Sequence, residues 1–279
     1  RAHLLLGRAH ELTNARELAG DHFAKAFQAG KMAPTYGIAY AEYLLRVGQA
    51  AQAEKVLNGV LKTTPNHVPA IKLLAQARIN QGDWVGAQKL ADEARRSRAD
   101  KGQLADEISG VLYANRRDFD ESVQAFKRLH AAAPDDMQPL VSLVRAYLLA
   151  GKRNDAQNFL ASVLKASPDN TTARLLQGQV YSAGGETEKA AQAFQQVIAK
   201  EPRSPAGYLN LANLYAHDRR YQQADKVVRE GLAVAPNDFG LRLALAGVTE
   251  MLGRYDDAIR LNEELLAKYP NSEIVANNL

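Results

Sequence analysis

The chain has 279 residues, of which 46% are hydrophobic and 24% charged, with a formal net charge of +4 and no cysteine. This composition can bury a core, and no apolar run approaches the roughly 18 to 20 residues that a membrane-spanning helix needs. Acids and bases are mixed along the whole length, without the concentrated basic face typical of nucleic-acid-binding proteins. The lack of cysteine excludes disulfides, thiolate zinc sites and a cysteine nucleophile.

Proline recurs at a fixed interval. Pro134, Pro168, Pro202, Pro236 and Pro270 are each 34 residues apart, and Pro65 lies 69 residues before Pro134. A period of this size indicates a repeat architecture. In chain order the predicted repeats span about 1–33, 34–67, 68–102, 103–136, 137–170, 171–204, 205–238 and 239–272, followed by the start of a further helix.

Four other positions keep this register when the proline is counted as position 32. Position 8 is small in most repeats (Gly7, Ala41, Ala75, Gly110, Gly178, Ala212, Ala246), and position 20 is alanine in all but one. Position 24 is bulky in most repeats, and position 15 is often glycine. Small residues let two helices approach closely, large ones fill the space beside the crossing, and glycine can end the first helix in the left-handed conformation. The pattern predicts eight helical pairs.

The residues after the prolines suggest how each new repeat begins. An Asn or Asp follows most of them, as Asn66, Asp135, Asp169, Asn237 and Asn271. These residue types commonly cap helix N-termini. We therefore expect them to cap the next helix.

This pattern resembles the tetratricopeptide-repeat (TPR) family over essentially the whole chain. The resemblance implies an all-α, right-handed superhelix of about eight helical hairpins in a single array. Two repeats depart from the motif. The third lacks its closing proline and has Ala91 at position 24, and the eighth has Asn262 there. Neither end shows a polar capping helix, so we expect the chain to be part of a longer array or a larger protein.

No catalytic or metal-binding motif is present. The sequence contains no HExxH pattern, no glycine-rich phosphate loop and no nucleophile elbow. His3 and His10 lie seven residues apart, but no carboxylate is spaced as a clear third ligand. We therefore predict no enzyme activity, no cofactor and no metal.

Basic residues gather at the end of the third repeat, as Arg95, Arg96, Arg98 and Lys101. Such a cluster can dock an acidic partner or an anionic polymer. The simpler interpretation is a solvated helix end, where cations are favoured. Both interpretations stay open.

The family resemblance implies that the first helix of each repeat lines a concave surface, where ligands usually lie. The inward positions are typically 2, 5, 9, 12 and 13. The candidate partner-binding residues at these positions are Arg8, Glu42, Arg46, Lys72, Gln76, Asn80, Arg145, Gln179, Asn213 and His217. Such a polar row can bind an extended peptide backbone, and the scarcity of aromatic residues there argues against sugar stacking.

The sequence therefore predicts a non-catalytic scaffold or adaptor that binds a protein or peptide partner in its concave groove. The alanine-rich, cysteine-free repeats are similar in style to bacterial multi-TPR proteins of envelope assembly and exopolysaccharide export. This resemblance and the lack of cysteine favour the bacterial periplasm or cell envelope. Three alternatives remain: an array that binds anionic polysaccharide, a scaffold that self-associates through its uncapped ends, and the regulatory arm of an enzyme whose catalytic domain lies elsewhere.

Overall fold

The computed structural model describes residues 1–97, 102–270 and 272–278, and over these residues it contains seventeen α-helices and no β-strand. They are α1 (Ala2–Leu12), α2 (Arg16–Ala29), α3 (Pro34–Arg46), α4 (Ala50–Thr63), α5 (Val68–Asn80), α6 (Trp84–Ser97), α7 (Gln103–Arg116), α8 (Phe119–Ala132), α9 (Met137–Leu149), α10 (Arg153–Ala166), α11 (Thr171–Ala183), α12 (Thr187–Lys200), α13 (Pro205–His217), α14 (Tyr221–Val234), α15 (Phe239–Met251), α16 (Tyr255–Lys268) and α17 (Glu273–Ala276). The predicted all-α architecture is confirmed.

Along the chain, odd-numbered first helices alternate with even-numbered second helices. A first helix packs against the second helix that follows it in α1/α2, α3/α4, α5/α6, α7/α8, α11/α12, α13/α14 and α15/α16. The chain divides into an N-terminal body, residues 1–146, and a C-terminal body, residues 147–279. Buried cores run through each: Phe23, Leu57 and Leu74 belong to the N-terminal core, and Phe194 and Leu241 to the C-terminal core. First helices also contact one another, α3 with α5 and α5 with α7 in one body, and α11 with α13 and α13 with α15 in the other.

Within three of the pairs, a glycine at position 8 makes room for a phenylalanine at position 24. In α11, a Cβ added to Gly178 would lie 2.4 Å from the ring of Phe194 on α12, and one added to Gly110 would lie 2.7 Å from Phe126. Gly7 and Phe23 repeat the arrangement at 3.1 Å. Where position 8 is alanine, position 24 carries a smaller residue than phenylalanine, as Leu57, Ala91, Val228 and Asn262. Phenylalanine therefore stands at position 24 only where position 8 is glycine, because its ring takes the space that a Cβ at position 8 would need.

The turn between first and second helices uses a left-handed residue at position 15. Glycines occupy it five times, with φ between 70° and 77° (Gly48, Gly82, Gly151, Gly185, Gly253). This confirms their predicted role. Asn14, Arg117 and Arg219 take the same conformation without being glycine, at φ of 53°, 66° and 59°. The turn geometry is therefore imposed by the pair as a whole, at a local cost where a side chain is present.

The predicted helix caps are wrong by one residue. The side chains of His67, Asn170 and Asp238 accept the capping hydrogen bonds of α5, α11 and α15, and Asp136 accepts from the amide of Gln138 at 2.9 Å. Two of the residues expected to cap instead bind a lysine in the following pair: Asp169 lies 2.5 Å from Lys200, and Asn237 accepts from Lys268 at 2.9 Å. Asn271 lies outside the described residues.

The fourth residue of several repeats ties a first helix to the chain before it. Arg174, Tyr208 and Arg242 each donate to the carbonyl oxygen of the proline six residues earlier, at 3.2, 3.1 and 2.7 Å. In the fourth repeat the same position is Asp106, which is 7% exposed. Its carboxylate accepts from Arg95 at 3.1 Å and from Arg128 at 2.8 Å. One arginine of the basic cluster thus has a structural role, while Arg98 and Lys101 lie outside the described residues.

Candidate functional site

A groove of about 440 Å³ opens on the first helices of the N-terminal body. Its walls come from α5, α7, α8 and the start of α9. We call it the α5–α9 groove. It is lined by Val68, Lys72, Gln103, Leu104, Glu107, Val111, Phe126, Leu129, Ala133, Asp136, Gln138, Pro139 and Ser142. Because α5 and α7 are adjacent first helices, the groove runs across successive repeats.

The groove combines an apolar part with polar groups around it. Its apolar lining consists of Val111, which is half-buried, and of Leu104, Phe126 and Leu129, which are buried. The ammonium group of Lys72 lies 2.5 Å from a carboxylate oxygen of Glu107, and both side chains are about two-fifths exposed. An exposed ion pair of this kind adds little stability, about 0 to 1 kcal/mol. The pair is therefore a feature of the groove surface rather than a main source of stability.

Gln103, Gln138 and Ser142 bring further hydrogen-bonding groups to the same groove. Gln103 donates to the carbonyl oxygen of Ala132 at 3.4 Å. Amide and hydroxyl side chains can both donate and accept, so they suit a peptide backbone. The prediction did not include these three residues. Gln138 occupies position 2 of its repeat, one of the inward positions, so the repeat register could have found it.

The other predicted residues of the N-terminal body lie at the surface of first helices. Arg8, Glu42 and Arg145 are exposed. Arg46 is also exposed, but its guanidinium pairs with Glu11 of α1 at 2.6 Å. On α5, Gln76 donates to Asn80 at 2.6 Å. Of the predicted site residues, Lys72 alone lines the α5–α9 groove.

In the C-terminal body, Gln179 on α11 donates to Asn210 on α13 at 3.0 Å. Asn210 in turn donates to the carbonyl oxygen of Ala206 at 2.9 Å. Asn213 and His217 are exposed on the same helix, α13. Polar side chains of neighbouring first helices are therefore close enough to share one hydrogen-bonded ligand.

Three imidazoles, those of His3, His10 and His22, meet between α1 and α2. The Nδ1 atoms of His3 and His22 are 2.9 Å apart, and the ring of His10 stacks on that of His22 at 5.2 Å. Burial first, and then the charges of His3, His10 and Lys25, lower the pKa of His22. In the described part of the chain, no group of three or more His, Cys, Asp or Glu residues is arranged to hold a metal ion. Over the same residues, no helix has the length and apolarity needed to cross a membrane.

The model of the tetratricopeptide repeat matches residues 44–106, 114–180 and 181–240, well over half of the chain. The chain belongs to the tetratricopeptide-repeat family. Repeats of this family are typically non-catalytic protein-interaction modules, and the fold of this chain is that of a protein-interaction scaffold in general. No curated protein matches its sequence.

Several solved structures share the TPR fold at low identity. A tetratricopeptide repeat protein from Parabacteroides merdae is 16% identical, with 87% of this chain and 96% of that one covered and a TM-score of 0.56. PilW, described as a type IV pilus biogenesis factor, is 17% identical over 76% of this chain and 98% of its own, with a TM-score of 0.53. Yeast Tom70 is 14% identical and reaches a TM-score of 0.67 over 92% of this chain and 57% of its own. These likenesses show the fold alone.

Proposed function

We propose that this TPR chain is a non-catalytic scaffold that binds an extended segment of a partner protein in the α5–α9 groove. One observation carries the proposal: successive first helices bring amide, hydroxyl and ionic side chains together around an apolar surface. An extended peptide presents alternating side chains and unpaired backbone amides. The apolar surface suits the side chains, and Gln103, Gln138 and Ser142 suit the backbone.

Two ion pairs weigh against an anionic polysaccharide as the main ligand. Lys72 and Arg46 already face Glu107 and Glu11, so part of the positive charge that such a polymer would meet is compensated. A polyanion would also bring no apolar side chain for Leu104 and Val111. A peptide uses both kinds of surface, and for this reason we favour it.

Selected peptides provide the test. Short linear peptides would be selected on the intact chain from a random phage-displayed library, and the best one labelled with fluorescein. Its affinity would then be measured by fluorescence polarisation for the wild type and for Lys72→Glu/Gln138→Ala. We expect the variant to lose at least about tenfold in affinity, or ~1.4 kcal/mol. Lys165→Glu, at an exposed lysine of α10, is the control and should change affinity by less than about twofold.

Two outcomes would contradict this proposal. The library could yield no enriched peptide, or the enriched peptide could bind the groove variant as tightly as the wild type. Light scattering on the same samples would show whether the chain self-associates. If its mass rose with concentration while no peptide bound, assembly through the ends of the array would become the better explanation.

A further inference from the structure

A second exposed surface surrounds Trp84, the single tryptophan of the chain. Trp84 is the first residue of α6 and is 36% exposed, and the neighbouring Val85 is 82% exposed. Local hydrogen bonds hold this helix start. The carboxylate of Asp83 accepts from the amide of Gly86 at 2.9 Å, and Arg78 donates to the carbonyl oxygen of Gly86 at 3.0 Å. The exposed pair of apolar residues is therefore held on an ordered helix end.

Trp84 lines a cavity of about 450 Å³ between α6 and the end of α7. The other lining residues are Val85, Gln88, Lys89, Asp92, Arg96 and Arg116. They include three cationic side chains and one carboxylate, so the lining has a net charge of +2. Arg116 pairs with Asp118 at 3.0 Å. Among the described residues, Lys89 and Arg96 form no ion pair, in contrast to Arg95, which is bound to Asp106.

Other pairs bridge the equivalent place with side chains. Position 21 of a second helix reaches the next pair in three examples. Glu54 accepts from Gln81 at 2.9 Å, Asp225 accepts from Arg254 at 2.9 Å, and Gln157 donates to Glu186 at 2.8 Å. Here position 21 is Gln88, which instead donates to Asp92 on its own helix at 3.0 Å. The crevice beside Trp84 is therefore not bridged by its position-21 side chain.

We propose that this Trp84 surface is a second docking site, and that its occupant is an acidic protein segment carrying an apolar side chain. Carboxylates of that segment pair with Lys89 and Arg96, and its apolar side chain packs against Trp84 and Val85. Tryptophan and arginine are enriched at the energetic centres of protein interfaces, and opposite charges select the partner and its orientation. The Trp84 surface shares no lining residue with the α5–α9 groove, so the two sites can act independently.

Because Trp84 is the single tryptophan, its fluorescence reports on this surface directly. The probe is a synthetic peptide of alternating glutamate and leucine, titrated into the intact chain. Its matched control has lysine in place of every glutamate. We expect the acidic peptide to shift Trp84 emission to shorter wavelength in a saturable manner, and the affinity to fall at least about tenfold as salt screens the charges. The lysine peptide should leave the emission unchanged.

Variants that keep Trp84 separate charge from apolar packing. The affinity of Lys89→Glu/Arg96→Glu for the acidic peptide should be at least about tenfold lower than that of the wild type, and this variant should bind the lysine peptide. Val85→Ser tests the apolar contact. It should lower the affinity for the acidic peptide severalfold without changing how that affinity depends on salt. Lys72→Glu, in the α5–α9 groove, should leave the titration unchanged. Failure of this proposal is thereby separated from failure of the groove proposal.

The proposal is overturned if the acidic peptide leaves Trp84 emission unchanged, or if the charge-reversal variant binds it as well as the wild type does. It is also overturned if alginate, an anionic polysaccharide without apolar side chains, shifts the emission with equal affinity. Circular dichroism of each variant shows whether the chain remains folded. If the charge-reversal variant were unfolded, Val85→Ser and the two matched peptides would still decide the outcome.

Discussion

Replacing Gly178 by alanine tests whether phenylalanine at position 24 requires glycine at position 8. The added Cβ would lie 2.4 Å from Cε1 and 2.7 Å from Cδ1 of Phe194. Such contacts require movement, and Phe194 is 2% exposed, so its ring is enclosed on all sides. Overpacking of a well-packed core costs about 1 to 3 kcal/mol. We expect Gly178→Ala to destabilise the α11/α12 pair by that amount.

The second substitution that tests this reasoning is Phe194→Leu. Alone, this substitution leaves unfilled space and should lower the free energy of unfolding by about 1 to 2 kcal/mol, which is less than the 3 to 5 kcal/mol typical of replacing a buried phenylalanine by alanine. Together with Gly178→Ala it reproduces the combination of Ala41 and Leu57, both fully buried in the α3/α4 pair. The double variant should therefore be more stable than the sum of the single effects predicts, by about 1 to 2 kcal/mol.

Stability would be measured locally and globally. Unfolding of a repeat array need not be two-state, so urea denaturation followed by circular dichroism should be combined with hydrogen exchange of the amides in α11 and α12. Gly247→Ala is the control, because nothing lies within 4 Å of its added Cβ and alanine favours a helix interior by about 0.5 to 1 kcal/mol. A neutral Gly178→Ala, or additive effects in the double variant, would refute the reasoning.

Four further predictions concern other parts of the molecule. Gly253→Ala should lower the free energy of unfolding by about 1 kcal/mol, because φ is +75° at this position. Arg219→Gly, at φ of 59°, should leave the free energy of unfolding unchanged or raise it by up to about 1 kcal/mol. Equal effects of the two substitutions in thermal unfolding would contradict this. Asp106→Asn should cost about 1 to 2 kcal/mol, since its carboxylate accepts from two half-exposed arginines, while the exposed Asp92→Asn serves as control. Asn262 is 3% exposed, and over the described residues its amide oxygen has no hydrogen-bond partner, so Asn262→Leu should stabilise by about 1 to 2 kcal/mol; a lower midpoint in urea would show otherwise. Burial and then its neighbours lower the pKa of His22 below 6.5, so the unfolded chain binds a proton at this residue more readily than the folded chain does. The free energy of unfolding should therefore fall as pH falls from 6.5 through the lowered pKa. His22→Gln should lose less of its free energy of unfolding than the wild type between pH 7.5 and 5.0.

The helical pairs could be predicted because their determinants lie within one repeat. The helix caps could not be assigned, since Asp169 and Asn170 are both good capping residues in adjacent positions. In the structure Asn170 accepts the capping hydrogen bond, and Asp169 pairs instead with Lys200 of the following pair. The same competition recurs between Asn237 and Asp238, where Lys268 binds the first. At α5 the weaker capping type, His67, accepts the bond although Asn66 precedes it. Local residue preference alone therefore does not fix which of two adjacent residues caps the helix.

The candidate site was less predictable for a related reason. The sequence indicates which first-helix residues are exposed, and nine of the ten predicted residues are exposed and Gln76 is partly so. It does not show which of them already have partners. The Lys72–Glu107 pair joins the same position of two successive repeats, a signal that aligning the repeats could have found. The Arg46–Glu11 pair joins different positions and needs the geometry of adjacent helices.

Repetition itself separates structural residues from candidate binding residues. A feature required by the hairpin recurs in every pair, because each pair has the same turn between its two helices. The left-handed conformation at position 15 is such a feature. A partner meets each pair once, so residues that contact it need not recur. Lys72, Gln138 and Trp84 are of this second kind: positions 5, 2 and 17 vary from repeat to repeat. Changing them should alter binding with little effect on stability, which is why both proposed sites can be tested by substitution in a folded chain.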